Sequence, residues 1–143
     1  MAEALLLDTS AVLSAFERSN AGIQRIISGH GGPSVSSLFV LGELLHGVEM
    51  ATARGVRHAR QQTVDAYVKI TESAEGVGTD LLAKMYGRVS AKATELGLRI
   101  GMNDRWIVAE AALHGARLVT CDDSQAKLAR GVGCETTHVD QSV

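Results

Sequence analysis

Residues 103–122 read Asn-Asp-Arg-Trp-Ile-Val-Ala-Glu-Ala-Ala-Leu-His-Gly-Ala-Arg-Leu-Val-Thr-Cys-Asp, and this stretch indicates the fold class. Its first half has apolar residues at helical spacing, which predicts a helix capped by Asn103 or Asp104 and running through His114. Gly115 then ends the helix, because glycine is favoured directly after a helix. The apolar run at 117–120 predicts a strand. A helix that leads through a glycine into a short apolar strand is typical of α/β proteins.

The rest of the chain alternates short apolar runs with helical segments in the same way. Further strands are predicted at 4–7, around Val35 and near 135–139, and helices through Phe16 and at about 20–28, 37–52, 55–72, 80–96 and 123–130. Thr9 and Ser10 are predicted to cap the first helix, and Ser36 or Ser37 the third. This order predicts a central parallel sheet covered by helices. The sequence has no repeat or linker, so we expect one domain over residues 1–143.

The composition indicates a folded protein without a general affinity for polyanions. Hydrophobic residues make up 45% of the chain and charged residues 21%, which excludes a disordered protein. The formal net charge is −2, so the chain has no overall positive field to attract nucleic acid. A nucleic-acid site would therefore need a local basic patch or a bound metal ion.

The cysteines and the chain's apolar runs bear on its location. Cys121 and Cys134 are too few and too far apart in sequence for a disulfide framework or a zinc site, and we expect two free thiols. The amino terminus lacks a basic region and is interrupted by Asp8 too early for a signal peptide. No apolar run is long enough to span a membrane. We expect a soluble, cytoplasmic protein with no membrane partner.

Four acidic residues lie within or beside apolar segments: Asp8 ends one, Glu43 lies inside one, Asp104 precedes the segment that begins at Trp106, and Asp122 comes two residues after Leu118-Val119-Thr120. A carboxylate carried toward a core loses hydration and must find a proton, a cation or several hydrogen-bond donors. Asp8 and Asp122 follow predicted strands, and ligands of parallel sheets bind beyond the carboxyl ends of the strands. If the four acids converge, they form a pocket for a hard divalent cation such as Mg²⁺ or Mn²⁺.

Each acid taken alone also has a structural interpretation. Asp8 can be a loop acid or a cap, Glu43 a solvated residue at the rim of its helix, and Asp104 a helix cap. Asp122 and Asp123 can begin the last helix, where acids favour the helix dipole. Two alternative functions follow: a phosphotransfer or phosphatase domain that uses Asp8, or a binding module without catalysis.

Four segments together resemble a PIN domain, and most closely the VapC toxins of bacterial and archaeal toxin–antitoxin pairs. The segments are Leu5-Leu6-Leu7-Asp8-Thr9-Ser10-Ala11-Val12-Leu13, Gly42-Glu43-Leu44-Leu45-His46-Gly47, Asn103-Asp104-Arg105-Trp106-Ile107-Val108-Ala109 and Leu118-Val119-Thr120-Cys121-Asp122. The resemblance extends from about Ala4 to Val139. It implies a three-layer α/β/α sandwich around the parallel sheet and a magnesium- or manganese-dependent endoribonuclease. It also implies an RNA substrate, a small VapB-like antitoxin that often offers an arginine to the acids, and usually a homodimer.

The resemblance also assigns roles by position. Asp8, Glu43 and Asp104 match the three main catalytic and metal-binding acids of the family. Asp122 matches the fourth, although the adjacent Asp123 is an alternative. We expect Asp8 and Asp104 to bind metal directly, Asp122 to bind directly or through water, and Glu43 to complete the ligand shell or orient the attacking water. Whether one or two ions bind is left open. RNA cleavage in the family leaves a 5′-phosphate and a 3′-hydroxyl.

Several polar residues are predicted to support the acids or the substrate. Ser10, Thr120 and Asn103 can hydrogen-bond a ligand carboxylate or a phosphate, although caps and strand ends also favour these residue types. Basic residues can contact an RNA backbone; they are Arg54, Arg57 and Arg60 near one helix start, and Arg99 and Arg105 beside the third acid. Aromatic residues make up 3% of the chain, which argues against a broad platform for stacking bases.

Overall fold

The computed structural model describes residues 3–73 and 78–141, which contain five strands and seven helices. In chain order they are β1 (Leu5–Leu7), α1 (Thr9–Phe16), α2 (Ala21–Gly29), β2 (Ser34–Ser36), α3 (Leu38–Met50), α4 (Arg54–Ile70), β3 (Thr71–Ser73), α5 (Thr79–Glu95), α6 (Met102–Leu113), β4 (Arg117–Thr120), α7 (Asp123–Gly131) and β5 (Thr136–His138). The four predicted strands and all the predicted helices are present.

The five strands form one parallel sheet in the order β3-β2-β1-β4-β5. The chain moves outward from β1 to β2 and β3, then returns to place β4 on the other side of β1. Strand order therefore reverses between β1 and β4, where Leu7 pairs with Val119. The helices that leave the two strands diverge there, which opens a crevice at the carboxyl ends of β1 and β4.

The central strand explains why the sheet needs helices on both faces. Leu5, Leu6 and Leu7 are each at most 1% exposed, although successive strand residues point to opposite faces. Leu118 and Val119 of the neighbouring strand are also buried. A short run that is apolar at every position is typical of a parallel strand covered on both sides.

Two groups of helices supply that cover. The helices that follow β1 and β2 contact one another, as α1 does with α2, α3 and α4. The helices that follow β3 and β4 form the second group, in which α5, α6 and α7 are in mutual contact. Right-handed crossovers put the two groups on opposite faces of the sheet because the chain changes direction after β3. This is the predicted three-layer α/β/α sandwich, and α3 also contacts α6.

The strand β3 was not predicted. The helix expected over 55–72 ends at Ile70, and Thr71 begins a strand whose backbone pairs with β2. The Thr71 hydroxyl donates to the carbonyl of Tyr67 at 2.8 Å, which satisfies an acceptor in the last turn of α4. This strand depends on pairing with a segment that is distant in sequence, so local periodicity did not separate it from the helix. The predicted break at 75–78 lies largely outside the described residues.

The start of α6 corrects another prediction. Gly101 precedes the helix as its N-cap without a side-chain hydrogen bond, and the helix begins at Met102. The expectation that Asn103 or Asp104 caps this helix is therefore wrong. Asp104 lies in the first turn, where the helix dipole favours a negative charge. Its carboxylate does not cap this helix, and its charge acts on the neighbouring acids Asp8 and Glu43.

The structure also bears on the apolar face of α3, the two cysteines and the length of the apolar helices. Helical spacing predicts that Val40, Leu41, Leu44, Leu45 and Val48 share one apolar face of α3. Val40, Leu44 and Val48 are buried, whereas Leu45 is 41% exposed because it lies at the edge of that face. Cys121 and Cys134 are free thiols, as expected. Among the described residues, no helix combines the length and the apolar character that crossing a membrane requires.

Candidate active site

Asp8 directly follows β1 and caps α1 with its own carboxylate. One oxygen, Oδ1, accepts hydrogen bonds from the Ala11 amide at 2.8 Å and the Ser10 hydroxyl at 2.7 Å. The other oxygen, Oδ2, accepts from the Thr120 hydroxyl at 2.5 Å. The prediction that Thr9 and Ser10 cap this helix is wrong, because Asp8 is the residue whose side chain reaches the free amide of the first turn. Ser10 and Thr120 do bond the acid, as predicted.

Burial is the main reason why the pKa of Asp8 is raised. The residue is 2% exposed, and desolvation raises its pKa from an ordinary 3.8 to about 6, although the hydrogen bonds from Thr120, Ala11 and Ser10 oppose the shift. The negative charge of Asp104 contributes to this rise. At neutral pH the folded chain therefore holds a carboxylate whose negative charge is costly. A nearby cation would offset that cost.

Asp104 and Asp122 are close enough for their charges to interact. Burial raises the pKa of Asp104, and the charge of Asp122 raises it further. Asp122 caps α7, where its Oδ1 accepts from the Gln125 amide at 2.9 Å. The neighbouring Asp123 is exposed and pairs with Lys127 at 3.0 Å, which lowers the pKa of Asp123. The charge of Asp122 thus acts on another acid of the site, whereas Asp123 forms an ion pair within its own helix.

Glu43 reaches the same region from α3. Burial raises the pKa of Glu43, and the charge of Asp104 adds to the shift while the Thr9 hydroxyl opposes it. Glu43 Oε1 and Thr9 Oγ1 are both buried without a hydrogen bond of normal geometry to any described residue. Both residues line two clefts of about 320 and 430 Å³. The interaction between Thr9 and Glu43 is thus too poorly aligned to satisfy either oxygen, and a ligand in the cleft can supply the interactions that they lack.

The structure brings the four predicted acids together around Asp104. Its charge acts on both Asp8 and Glu43, and it is itself affected by Asp122. Across residues 3–73 and 78–141, no three His, Cys, Asp or Glu side chains lie as close together as the ligands of one metal ion do. Mutual repulsion explains the open arrangement, since carboxylates that share a pocket remain apart unless a cation or a proton joins them.

Gln125 is a supporting residue that the sequence analysis missed. It is buried on α7, and its Nε2 donates to the backbone carbonyl of Asp104 at 3.4 Å. Its Oε1 faces the Thr120 hydroxyl at 3.1 Å, but that single proton is directed to Asp8 at the shorter distance of 2.5 Å. Thr120 in turn accepts from the amide of Asp122 at 2.9 Å. This network joins β1, β4, α6 and α7 directly beneath the acids.

Glu110 is a second buried residue that was missed. The hydroxyl of Ser37, the N-cap of α3 as predicted, donates to Glu110 Oε1 at 2.5 Å and accepts from the Val40 amide at 3.1 Å. The Ser37 amide donates to the Tyr67 hydroxyl at 2.9 Å. Burial raises the pKa of Glu110, and burial raises the pKa of Tyr67 to about 12. The network fixes the start of α3, which carries one acid of the site, against the middle of α6, which carries another.

A family model for the PIN domain matches residues 5–131 of the chain. The chain belongs to the PIN-domain family. The conclusion agrees with the resemblance found in the sequence.

This PIN domain is similar to ribonuclease VapC5 of Mycobacterium tuberculosis, with 29% identity over 104 residues that cover 73% of this chain and 75% of that protein. It is also similar to a chain in the crystal structure of VapBC-5, from the VapBC family of toxin–antitoxin systems of the same organism, with a TM-score of 0.73, 26% identity and coverage of 96% and 99% of the two chains. A chain of VapBC2 from Rickettsia felis, bound to a DNA fragment from their promoter, shares the fold with a TM-score of 0.80 at 22% identity over 96% and 99% of the two chains.

Two of the basic residues considered for RNA contact in this PIN domain are directed elsewhere. Arg105 Nη1 donates to the Ser90 hydroxyl at 2.9 Å, and its guanidinium lies 6.0 Å from the centre of the Tyr86 ring. Arg105 therefore packs against α5, and its contact with phosphate stays a prediction. Arg57 forms an exposed ion pair with Glu49 at 3.4 Å. Arg60 behaves differently and is treated below.

The aromatic residues of the PIN domain are used internally. Trp106 stacks on Tyr86 at 4.0 Å and on Phe39 at 5.4 Å between ring centres, and Tyr67 is fully buried. These contacts join α3, α5 and α6. They agree with the expectation from composition that this chain has no broad aromatic platform for bases.

The raised pKa values of Asp8, Glu43 and Asp104 predict how pH and metal affect stability. A carboxyl group whose pKa is higher in the folded chain stabilises the fold fully below its ordinary pKa, and this contribution is lost as pH rises through the folded value, about 6 for Asp8. Without divalent cations we expect these acids to lower the thermal midpoint between pH 4 and 7. Mg²⁺ or Mn²⁺ should raise the midpoint strongly at pH 7.5 and much less at pH 5, where protons compete with metal. Thermal unfolding of chelator-treated protein measures this.

The aspartate doublet provides a matched control for the metal effect. Asp122→Asn keeps a good capping residue on α7 but should reduce the stabilisation by metal. Asp123→Asn changes an exposed acid that pairs with Lys127 and should leave the stabilisation unchanged. Equal losses in the two variants would contradict the placement of Asp122 in the site.

The Ser37 network predicts a large effect from one hydroxyl group. Ser37→Ala removes the cap of α3 and leaves a buried carboxylate without its donor, so the free energy of unfolding should fall by about 2 to 4 kcal/mol. Urea denaturation measures the change. Glu110→Gln keeps an acceptor for the Ser37 hydroxyl, so it should lower the free energy of unfolding clearly less than Ser37→Ala does. Similar losses in the two variants would show that the hydrogen bond is not the main contribution.

Proposed function

We propose that this chain is a divalent-metal-dependent endoribonuclease and the toxin of a toxin–antitoxin pair, folded as a single PIN domain over residues 1–143. Membership of the PIN family and the similarity to a ribonuclease VapC support the activity. The observation that carries the proposal is the electrostatic coupling of four acids at the carboxyl ends of β1 and β4 and on α3 and α6. This is the crevice where a parallel sheet binds its ligand.

The donor set fits a hard cation. Asp8, Asp104 and Asp122 would hold Mg²⁺ or Mn²⁺, since these ions prefer carboxylate oxygens and leave positions for water and phosphate. Glu43 Oε1, buried without a partner, suits the same ligand sphere or a water in it. When bound, the cation would neutralise the acids and polarise the phosphodiester.

The chain's own residues hold and move protons at the reacting centre. The Ala11 amide and the Ser10 and Thr120 hydroxyls fix the Asp8 carboxylate, so it does not need to reorient when RNA binds. Glu43, with its raised pKa, is suited to accept a proton from the attacking water. The new bond joins the water oxygen to phosphorus, and the bond from phosphorus to the 3′-oxygen breaks. The 3′-oxygen takes a proton from solvent, which leaves a 3′-hydroxyl and a 5′-phosphate.

The comparisons favour the ribonuclease over the two alternative functions. The family match and the similarity to a ribonuclease VapC support cleavage of phosphodiester bonds over a phosphatase that uses Asp8 as nucleophile. A binding module without catalysis gives no reason to gather Asp8, Glu43 and Asp104 where burial and neighbouring negative charge raise their pKa values at the expense of stability.

We also propose that a VapB-like antitoxin is the physiological partner and that the toxin forms a homodimer. The similar structures are VapBC proteins, and the Mycobacterium tuberculosis one is described as a toxin–antitoxin system. A pocket of costly carboxylates favours an arginine from a partner, because a guanidinium binds carboxylates through paired hydrogen bonds. Leu38 and Met102, at the starts of α3 and α6, are 74% and 62% exposed and offer apolar contacts beside that pocket.

Cleavage of RNA tests the activity directly. The purified protein should cut a structured RNA with Mg²⁺ or Mn²⁺ and stop when a chelator is added. Asp8→Asn should slow cleavage by more than about 100-fold, since even the partners of metal ligands contribute 10- to 100-fold. Asp123→Asn should remain active. Sequencing the RNA ends identifies the cut sites, and full activity in Asp8→Asn would refute the assignment of Asp8.

Neutralisation tests the partner. Induced expression of the chain should arrest growth, and co-expression of a short DNA-binding protein from the adjacent reading frame should restore it. The two proteins should co-purify. Growth arrest that persists despite co-purification would contradict neutralisation by that partner.

A further inference from the structure

One cleft beside the acids has two arginines in its wall. This cleft, about 320 Å³ in volume, lies between α1, α3 and α4 and has Glu43 and Thr9 in its lining. The other lining residues are Leu13, Glu17, Arg18, Leu44, Gly47, Arg60 and Thr63. It therefore connects one acid of the site to two arginines that the catalytic chemistry does not use.

Arg60 is held in position at this cleft. Its Nη1 donates to the backbone carbonyl of Gly47 at 2.6 Å. Gly47 follows Glu43 by four residues on α3, so the guanidinium is anchored about one helical turn, or roughly 5.4 Å, further along the same face. A guanidinium carries five N–H donors, and the bond to Gly47 uses one of them. Arg60 is half-buried and forms no ion pair with an acid among the described residues.

Arg18 lies just beyond the end of α1. It is exposed and likewise has no ion pair within the described part of the chain. Its positive charge also acts on the thiol of Cys121, which directly follows β4, although burial still raises the pKa of Cys121 overall. Arg18 is therefore close to the cleft and also to the edge of the sheet where the acids gather.

The charges favour a phosphate as the ligand of these arginines. An RNA strand that reaches four acids on a chain of net charge −2 is repelled until positive charge offsets the acids. Glu17 and Glu43 are the acids in the cleft lining, and neither neutralises an arginine through an ion pair. We propose that Arg18 and Arg60 bind a backbone phosphate next to the scissile one and so direct the RNA strand along this cleft. The proposal rests on the ribonuclease function proposed above.

The salt dependence of cleavage tests this subsite. We expect Arg60→Ala and Arg18→Ala each to lower kcat/KM on an RNA oligonucleotide about tenfold, mainly through KM, because each loses a charged hydrogen bond to phosphate. The plot of log kcat/KM against log salt should become shallower by about 0.7 for each lost contact with single-stranded RNA. Arg60→Lys keeps the charge and should keep the slope while losing part of the affinity.

Arg57→Ala is the matched control. It lies one turn before Arg60 on the same helix, pairs with Glu49 at 3.4 Å and is absent from the cleft lining, so it should leave kcat/KM and the slope unchanged. Arg18→Ala changes an exposed side chain and keeps the test valid if Arg60→Ala folds poorly. If Arg18→Ala and Arg60→Ala both keep the wild-type dependence of log kcat/KM on log salt, the inference is overturned. This holds also if the two variants are inhibited more weakly by an antitoxin, because the arginines would then bind a protein partner and not RNA. A wild-type protein that neither binds nor cuts RNA would overturn the proposed function itself.

Discussion

The pairing of β1 with β4 is the constraint on which the site depends. The register that sets Leu7 beside Val119 brings Asp8, one residue beyond β1, within 2.5 Å of the Thr120 hydroxyl at the end of β4. Because strand order reverses between these two strands, their helices leave in different directions and the acids meet in an open crevice rather than under a helix. Without this register the central strand would keep its leucines buried, but Asp8 would lose the hydroxyl group that holds its second oxygen.

Two buried polar networks extend that constraint to the helices. Thr120 and Gln125 connect the end of β4 to the backbone of Asp104 on α6. Ser37 and Glu110 connect the start of α3 to the middle of α6. Both networks lie beneath the acids, and both involve groups whose burial is costly unless their hydrogen bonds are made. The positions of the four carboxylates therefore depend on residues that do not face the crevice.

Sequence patterning predicted the sheet, its helices and the four acids, because each left a local signal. Leu5 to Leu7 are apolar at every position, and Asp8 interrupts that pattern. The strand β3 and residue Gln125 left no such signal, since one depends on distant backbone pairing and the other is a polar residue in an ordinary helix. Glu110 interrupts an apolar run just as Glu43 does. Local sequence therefore shows that an acid is unusual, but three-dimensional contacts decide whether it faces a ligand or a hydroxyl group in the core.

On the proposed function, one electrostatic cost accounts for both catalysis and inhibition. The carboxylates of Asp8, Glu43 and Asp104, whose pKa values are raised by burial and by neighbouring negative charge, are stabilised by any cation that reaches them. A divalent ion meets that need and leaves room for a phosphate, whereas an arginine from a partner meets it and also fills the pocket. The arginines of the nearby cleft lie outside the acid cluster, so they can draw RNA toward it without competing for the carboxylates. Inhibition then needs no second conformation of the protein, because metal with RNA and a partner's arginine compete for the same negative charge.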